Sequence, residues 1–410
     1  MKVVDGVPTV PNKHKSIQFQ ILGVVCTAHF INDILQSLLL AIYPVLKGTF
    51  HLSFAQMGWL TLIHQMTTSL LQPMVGIYTD KHPKQYAMVF GLAITIIGIA
   101  VLSVANSYRL LLIAAVLMAM GSSILHPIAA HAASLASGKR QGLAHSIFQV
   151  GGNIGTAIGP LLAAAIIVSH GQTSLIWFGL IAVLILPFLL KVGSWYKKTQ
   201  LLSTAKTPAI HKVSRLPKRS VQIGLFILVL MVFSKFFYIS SFTSYYTFYL
   251  MAKFQIPVAL SQVYLFAFLF AVAIGILCGG PLGDKIGRKN LICLSILGAG
   301  PFTLMLPYAN LFWTGILSVI IGFTISCAFP TIIAFAQELI PNKTGTVLGI
   351  MYGLAFGMGG VSAALLGELA DHCGIIYVYS LCSFLPTLGL FALRLPDLKK
   401  SIHQPPPAEH

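Results

Sequence analysis

Acidic side chains are what this sequence has least of: nine Asp and Glu in 410 residues, against 26 Lys and Arg. Charged residues of both signs make up only 9% of the chain, where a soluble domain carries about 25%. So few charges cannot cover a water-exposed surface, which excludes an ordinary soluble globular protein. The six cysteines are scattered at 26, 278, 293, 327, 373 and 382, with no CxxC pair. They read as small apolar helix residues rather than as disulfides or metal ligands. No GxxxxGK[ST], HExxH or GxSxG occurs, which argues against a membrane-embedded enzyme; no cofactor and no metal is expected. A net charge of +17 is compatible with nucleic-acid binding. The basic residues, however, sit between apolar runs and not on a polar surface, so no nucleic-acid partner is expected.

What the chain has in quantity is apolar sequence, 56% of its residues, with a mean hydropathy of +0.85. A helix rises 1.5 Å per residue and must cross a hydrocarbon layer ~30 Å thick, so a span needs about 20 apolar residues. Runs of that size predict spans at 17–46, 53–79, 86–106, 109–137, 141–169, 173–195, 221–251, 258–282, 290–309, 312–338, 344–370 and 374–395. The expected fold class is an all-α membrane protein of about 12 transmembrane helices. The first sixteen residues are polar and lead straight into a span, which predicts an uncleaved first helix. Lys197 to Arg219 holds seven Lys/Arg and no acid. That stretch marks 197–220 as a basic linker between an N-terminal bundle (1–196) and a C-terminal bundle (221–410). The Gln404 to Pro407 tail is expected to be disordered. With a cytoplasmic N-terminus, inside segments hold 22 Lys/Arg and outside segments only Lys47, Arg109 and Lys253. Positive charge stays inside, so both termini are expected in the cytoplasm.

The halves repeat. Gly76, Asp80, Lys81 and Lys84 after the second span recur as Gly280, Asp284, Lys285 and Arg288 after the eighth, each 204 residues further on. Duplicated six-helix halves related by an axis along the membrane normal are an architecture of secondary transporters.

These loops resemble the signature of the major facilitator superfamily, G-x-x-x-D-[RK]-x-G-[RK]-[RK]. The second copy, with Gly287 and Lys289, matches fully; the first has Pro83 in place of the signature's Gly. The segments His29–Asp33, Ser69–Pro73, Ser146–Asn153, Ser244–Leu250, Leu265–Ala271 and Phe356–Gly360 are similar to the fosmidomycin-resistance group of bacterial efflux proteins. The resemblance implies the major facilitator fold of two pseudo-symmetric halves in a bacterial inner membrane. It further implies a proton-coupled antiporter, working as a monomer by alternating access, that exports drugs or small anionic compounds. A proton-linked importer or facilitator of a small metabolite is the alternative. The group's fourth helix carries His-Pro-Glu with an Arg three residues beyond the Glu. Here His126-Pro127 is followed by Ile128, and His131 stands in the Arg position, so that acid–base pair does not carry over.

An ionisable side chain at bilayer depth is costly and usually faces a cavity or a partner. Asp33 is the only acid deep in a predicted span, ~22 Å along the first helix, with His29 and Gln36 on the same face. A carboxylate whose surroundings change in wetness can take up and release a proton. Asp33 is therefore the expected proton carrier and His29 its partner; a static pair that fixes helix packing is the other reading. Lys235, ~21 Å into the seventh helix, is the one deep cation and heads a face continuing through Tyr238, Phe242, Tyr245 and Tyr249. Such a face suits an anionic organic substrate, or is packing, with Lys235 neutralising Asp33 across the halves. His64 with Thr68 and Gln72, and His145 with Gln149 and Asn153, recur every four residues and predict polar faces on a water-filled pathway. His126, beside helix-breaking Pro127, joins the candidate cavity. Gly155, Gly159 and Pro160 resemble the core of the antiporter motif of drug–proton exchangers, or simply allow close packing. The two loop signatures read as a gating latch, with Glu338 in the same network, whereas Glu368 and Asp371 look like solvated helix ends.

Overall fold

A computed structural model describes residues 17–82, 84–137, 141–203, 217–340 and 344–396. Helix follows helix, and no strand occurs among these residues. The first half comprises α1 (Phe19–Ala41, resumed as Tyr43–Phe50), α2 (Phe54–Lys81), α3 (Ala87–Val104), α4 (Tyr108–Ala136), α5 (Gln141–Leu162, then a π-turn Ala163–Ile167) and α6 (Leu175–Val183 and Leu186–Ser203). The second comprises α7 (Lys218–Phe254), α8 (Val258–Ile286), α9 (Arg288–Met305), α10 (Leu311–Ser326 and Ala328–Leu339), α11 (Thr344–Cys373) and α12 (Ile375–Cys382, then Leu385–Arg394). Helix α6 runs on to Ser203 and α7 starts at Lys218, so both ends of the basic stretch are helical. Residues 204–216, the N-terminal sixteen and the Gln404–Pro407 tail lie outside the described residues.

Among the described residues, ten helices are long and apolar enough to cross a membrane, eleven when the two arms of α6, bent by 44°, count as one span. The helix left over is α2. Its 28 residues reach ~42 Å, but it carries His64, Gln65, Thr67, Thr68, Ser69 and Gln72. His64 and Thr68 are buried and the other four are partly buried, so that polarity lowers hydropathy while lying largely against the bundle. The apolar excess lies on the outside instead: Leu184 is 70% exposed, Phe226 69% and Phe312 67%. Apolar exposure on this scale is unfavourable in water and matches a hydrocarbon surround.

Prolines stand at like places in the two halves, and most of the breaks lie beside them. The sixth helix of each half breaks just before a Leu-Pro step, Leu186-Pro187 and Leu385-Pro386. The fourth helices carry Pro127 and Pro330 at equivalent positions, and α10 is interrupted at Cys327. A proline removes a ladder donor and crowds the preceding turn; α10 breaks within three residues of Pro330, whereas α4 runs on through Pro127. Pro160 is followed within three residues by the π-turn of α5, a frequent cause of helix bending.

The halves meet through α2 against α11 and α5 against α8. Most hydrogen bonds crossing between them lie at the end holding the α1–α2, α7–α8 and α11–α12 turns. Asp371, expected as a solvated helix end, is instead a cap across the halves. Its Oδ1 accepts from the Phe54 N–H (2.9 Å) and its Oδ2 from the Ala55 N–H (2.8 Å). The first N–H groups of a helix have no partner within it, and a carboxylate there also meets the positive end of the helix dipole. Ser53 satisfies the next N–H, that of Gln56, in a capping box. Close by, Gln262 donates to the Ala41 carbonyl (2.6 Å) and the Tyr245 hydroxyl to those of Ala363 (2.6 Å) and Phe54 (3.3 Å).

At the opposite end, Arg288 clasps the α8–α9 turn. It pairs with Glu338 (2.6 Å) and Asp284 (3.5 Å), and Lys289 donates to the Leu395 carbonyl (2.6 Å). The turn itself needs Gly287, whose φ of 93° is open to glycine and strained for other residues. These bonds stay within the second half. Gly280, Lys285 and Lys84 make no cross-half hydrogen bond among the described residues, and Gly76 lies against Pro127 of α4. The side chains of Asp80 and Lys81 lie outside the described residues.

Candidate functional site

Asp33 sits where α1, α4 and α5 converge. Its Oδ2 faces His29 Nε2 at 3.2 Å and its Oδ1 faces His126 Nε2 at 3.0 Å. Asn32 Nδ2 donates to the same Oδ1 (3.1 Å) and to Ser122 Oγ (3.2 Å), while Thr95 donates to Asn32 Oδ1 (3.2 Å). His29 is stacked on Phe148, with ring centroids 4.0 Å apart, and its Nδ1 is 3.0 Å from the Phe148 carbonyl. His126 Nδ1 lies 2.9 Å from both the carbonyl and the hydroxyl oxygen of Ser122. The nearest polar atoms of the two histidines and Asp33 all fall within 4.8 Å of one another, close enough to share a proton or a small cation.

Glycine makes the convergence possible. A Cβ on Gly152 of α5 would stand 2.6 Å from Asp33 Oδ2 and collide with the His29 ring. We expect Gly152→Ala to push His29 away from Asp33, an overpacking of about 1–3 kcal/mol, and to cut transport at least tenfold. Transport assays paired with thermal melts check this; full activity would show that the pair tolerates separation. Gly155 and Gly159 act in the same way, seated on the Phe30 carbonyl and on Ser37 of α1. The small residues of α5 thus set its close approach to α1.

A second branch runs towards α2. His64 Nε2 is 2.8 Å from Gln36 Oε1, and Gln36 Nε2 donates to the Met118 carbonyl (3.1 Å), which joins α1, α2 and α4. Gln149 is half-buried on α5, and Asn153 Nδ2 is buried without a hydrogen-bond partner among the described residues. His131 is 3.1 Å from the Tyr196 hydroxyl of α6. The His145 side chain lies outside the described residues.

Lys235 is not brought to Asp33. It is 1% exposed and forms no hydrogen bond or ion pair with the described residues; its ammonium lies over the rings of Phe329 (4.7 Å) and Phe236 (5.1 Å). Cations are held by ring faces in this way. The position repeats that of the first half: Asp33 of α1 faces His126, just before Pro127, and Lys235 of α7 faces Phe329, just before Pro330. Tyr238 and Tyr249 are buried in an aromatic stack with Phe242, Tyr246, Phe268 and Tyr379, and Tyr245 reaches the cross-half contact at Phe54. Those tyrosines are packed against protein along their lengths.

Sequence reading finds Asp33, His29 and His126 but not what joins them. Asn32, Thr95 and Ser122 are ordinary polar helix residues in the sequence, and only their meeting around one carboxylate distinguishes them. The pair Gly151-Gly152, one turn from Phe148, is the visible sign that something must approach α5 closely.

A bundle of long apolar helices in two like halves, with a polar cluster at its centre, defines a multi-pass membrane transporter. The chain belongs to the Major Facilitator Superfamily, whose family model matches residues 25–364 and 228–410. It is 50% identical over 379 residues to the fosmidomycin resistance protein of Escherichia coli (strain K12), covering 92% of this chain and 93% of that protein. It is 37% identical over 406 residues to the MFS-type transporter YfnC of Bacillus subtilis (strain 168), covering 95% and 97%. Among solved structures, a point mutant of the nucleoside transporter NupG superposes with a TM-score of 0.72 at 12% identity, covering 92% of this chain and 100% of that one. A bacterial homologue of the human lysosomal transporter Spinster gives 0.68 at 16% identity, covering 92% and 94%. The chain is therefore a non-enzymatic major facilitator transporter of the fosmidomycin-resistance group.

Proposed function

We propose that this protein is a proton-coupled antiporter that exports small anionic compounds, fosmidomycin among them, across a bacterial inner membrane, with both termini in the cytoplasm. The observation that carries this reading is the buried cluster of Asp33, His29 and His126. It is the one place in the described membrane region where an acid and two bases meet. A group that binds a proton in one conformation and loses it in the other supplies the differential affinity alternating access requires. Half a sequence shared with a fosmidomycin resistance protein supports the direction and the cargo.

The anion is assigned to Lys235. An ammonium without a counter-ion is unfavourable inside a bundle, and an entering carboxylate or phosphonate supplies one. Gln36, His64, Gln149 and Asn153 offer the remaining polar contacts. The halves are joined where Asp371 caps α2, which on this topology is the outer side.

Inverted vesicles test the function. Export predicts accumulation of fosmidomycin that collapses when a protonophore dissipates the gradient; accumulation indifferent to protonophore contradicts it. Cells with and without the protein, challenged by a panel of antibiotics, define the cargo. Lys235→Gln should weaken binding of anionic substrates about tenfold or more, on the order of one lost charge-assisted contact, and leave neutral ones nearly unchanged. Equal losses for both would remove the charge role.

A further inference from the structure

The two histidines on Asp33 differ in one respect that decides their roles. A carbonyl oxygen only accepts hydrogen bonds, so His29 Nδ1, 3.0 Å from the Phe148 carbonyl, carries a hydrogen. In neutral His29 the other nitrogen, Nε2, is then a bare lone pair, and it faces Asp33 Oδ2 at 3.2 Å. A lone pair and a carboxylate oxygen repel. The contact is attractive only when a proton lies between them, on the imidazole or on the acid.

His126 also meets a carbonyl, but beside it stands a hydroxyl that gives its ring a second arrangement. Its Nδ1 is 2.9 Å from the Ser122 hydroxyl as well as from the Ser122 carbonyl. A hydroxyl can donate or accept. When it donates to Nδ1, neutral His126 keeps its hydrogen on Nε2 and gives it to Asp33 Oδ1, 3.0 Å away. Asn32 donates to that same oxygen (3.1 Å). Oδ1 thus keeps the Asn32 donor in either protonation state and can keep His126 as well, whereas His29 is the only partner of Oδ2 among the described residues.

We infer that the transported proton resides in the His29 Nε2···Asp33 Oδ2 contact, and that His126 is a positioning residue which holds the carboxylate whether or not that proton is present. The inference rests on the proton-antiport reading given above. The groups facing the carboxylate are His29 and Asn32 from α1 and His126 and Ser122 from α4. Helix α5 contributes the Phe148 carbonyl and Gly152, neither of which titrates. Proton loss turns the His29 contact repulsive against the α5 backbone at Gly152, which has no space to spare. Because α5 packs on α8, the event is passed to the second half.

Glutamine separates the two roles, because its amide is a permanent hydrogen donor that does not titrate in this range. In His126→Gln the amide replaces a donor that was always present. Purified protein in liposomes should still move as many protons per fosmidomycin as the wild type, at a rate about tenfold lower, with a similar pH profile. In His29→Gln the amide donates to Oδ2 permanently and takes the proton's place. Fosmidomycin exchange without a gradient should persist, which also shows that the variant is folded, while protons moved per substrate fall nearly to zero and the pH profile flattens. Wild-type stoichiometry in His29→Gln, or its loss in His126→Gln instead, would overturn the assignment. Loss of wild-type coupling on treatment with a chelator would overturn it too, by giving the cluster to a metal ion. A wild type that moves no protons at all defeats the antiport reading itself, a result distinct from either variant outcome.

Discussion

Asp33→Asn should lose accumulation against a gradient by at least two orders of magnitude while still exchanging substrate, though more slowly. Asparagine is nearly the same shape and suits the cluster in its protonated form. The amide oxygen can accept from Asn32 and His126, and the amide nitrogen can donate to the lone pair of His29 Nε2. The variant therefore keeps its fold and is fixed in the loaded state. Asp33→Ala is a different experiment, because it leaves His29, His126 and Asn32 without their shared acceptor, at about 1–3 kcal/mol for each buried unpaired group. A comparison of the two separates loss of the proton from loss of the network. Gradient-driven export by Asp33→Asn at wild-type levels would remove the carboxylate from the mechanism.

Asp371→Ala should open the end of the bundle that holds the α1–α2 and α11–α12 turns. The aspartate supplies two hydrogen bonds to the first turn of α2 from the far end of α11, so it exists as a cap only while the halves are closed there. Each bond involves a charged acceptor, but the site is exposed, and screening reduces the pair to on the order of 1–2 kcal/mol. That is roughly a 5–30-fold shift between closed and open states. Backbone amide exchange reads the change directly: the Phe54 and Ala55 N–H groups should exchange faster by about that factor. Unchanged exchange would mean that α2 and α11 stay together through their packed faces alone. The pairs in the α8–α9 turn cannot substitute, because Arg288 joins elements of one half.

What can be read from the sequence follows from how local each signal is. Every predicted span has a helix, and all but the sixth, which runs on to Ser203 instead of ending near 195, keep close to their expected limits, because an apolar run and its helix are the same stretch of chain. Even α2 is legible by length, although its polar face hides it from a hydropathy test. Asp33 and His29 are legible as a pair because they are one helical turn apart. The partnership with His126 is not, since the long stretch of chain between Asp33 and His126 carries no sign of contact. The Asp371 cap is still less visible: 317 residues separate it from Phe54, and an acid at a helix end looks solvated until the other half is placed beside it. The tyrosines of α7 show the opposite limit. Their spacing defines one face correctly but not what the face meets, and for Tyr238 and Tyr249 it meets other rings. Lys235 is equally plain as a buried cation, whereas its separation from Asp33 depends on how the halves sit together.

The central claim is that substrate and proton move in opposite directions through a site built on Asp33. Liposomes containing the purified protein and an internal pH indicator test it most directly, with no gradient imposed and fosmidomycin added outside. Antiport predicts that the interior turns alkaline as substrate enters, and that Asp33→Asn abolishes the signal while substrate still equilibrates. An interior that acidifies would indicate symport, and substrate entry with no pH change would show that the transporter runs without protons.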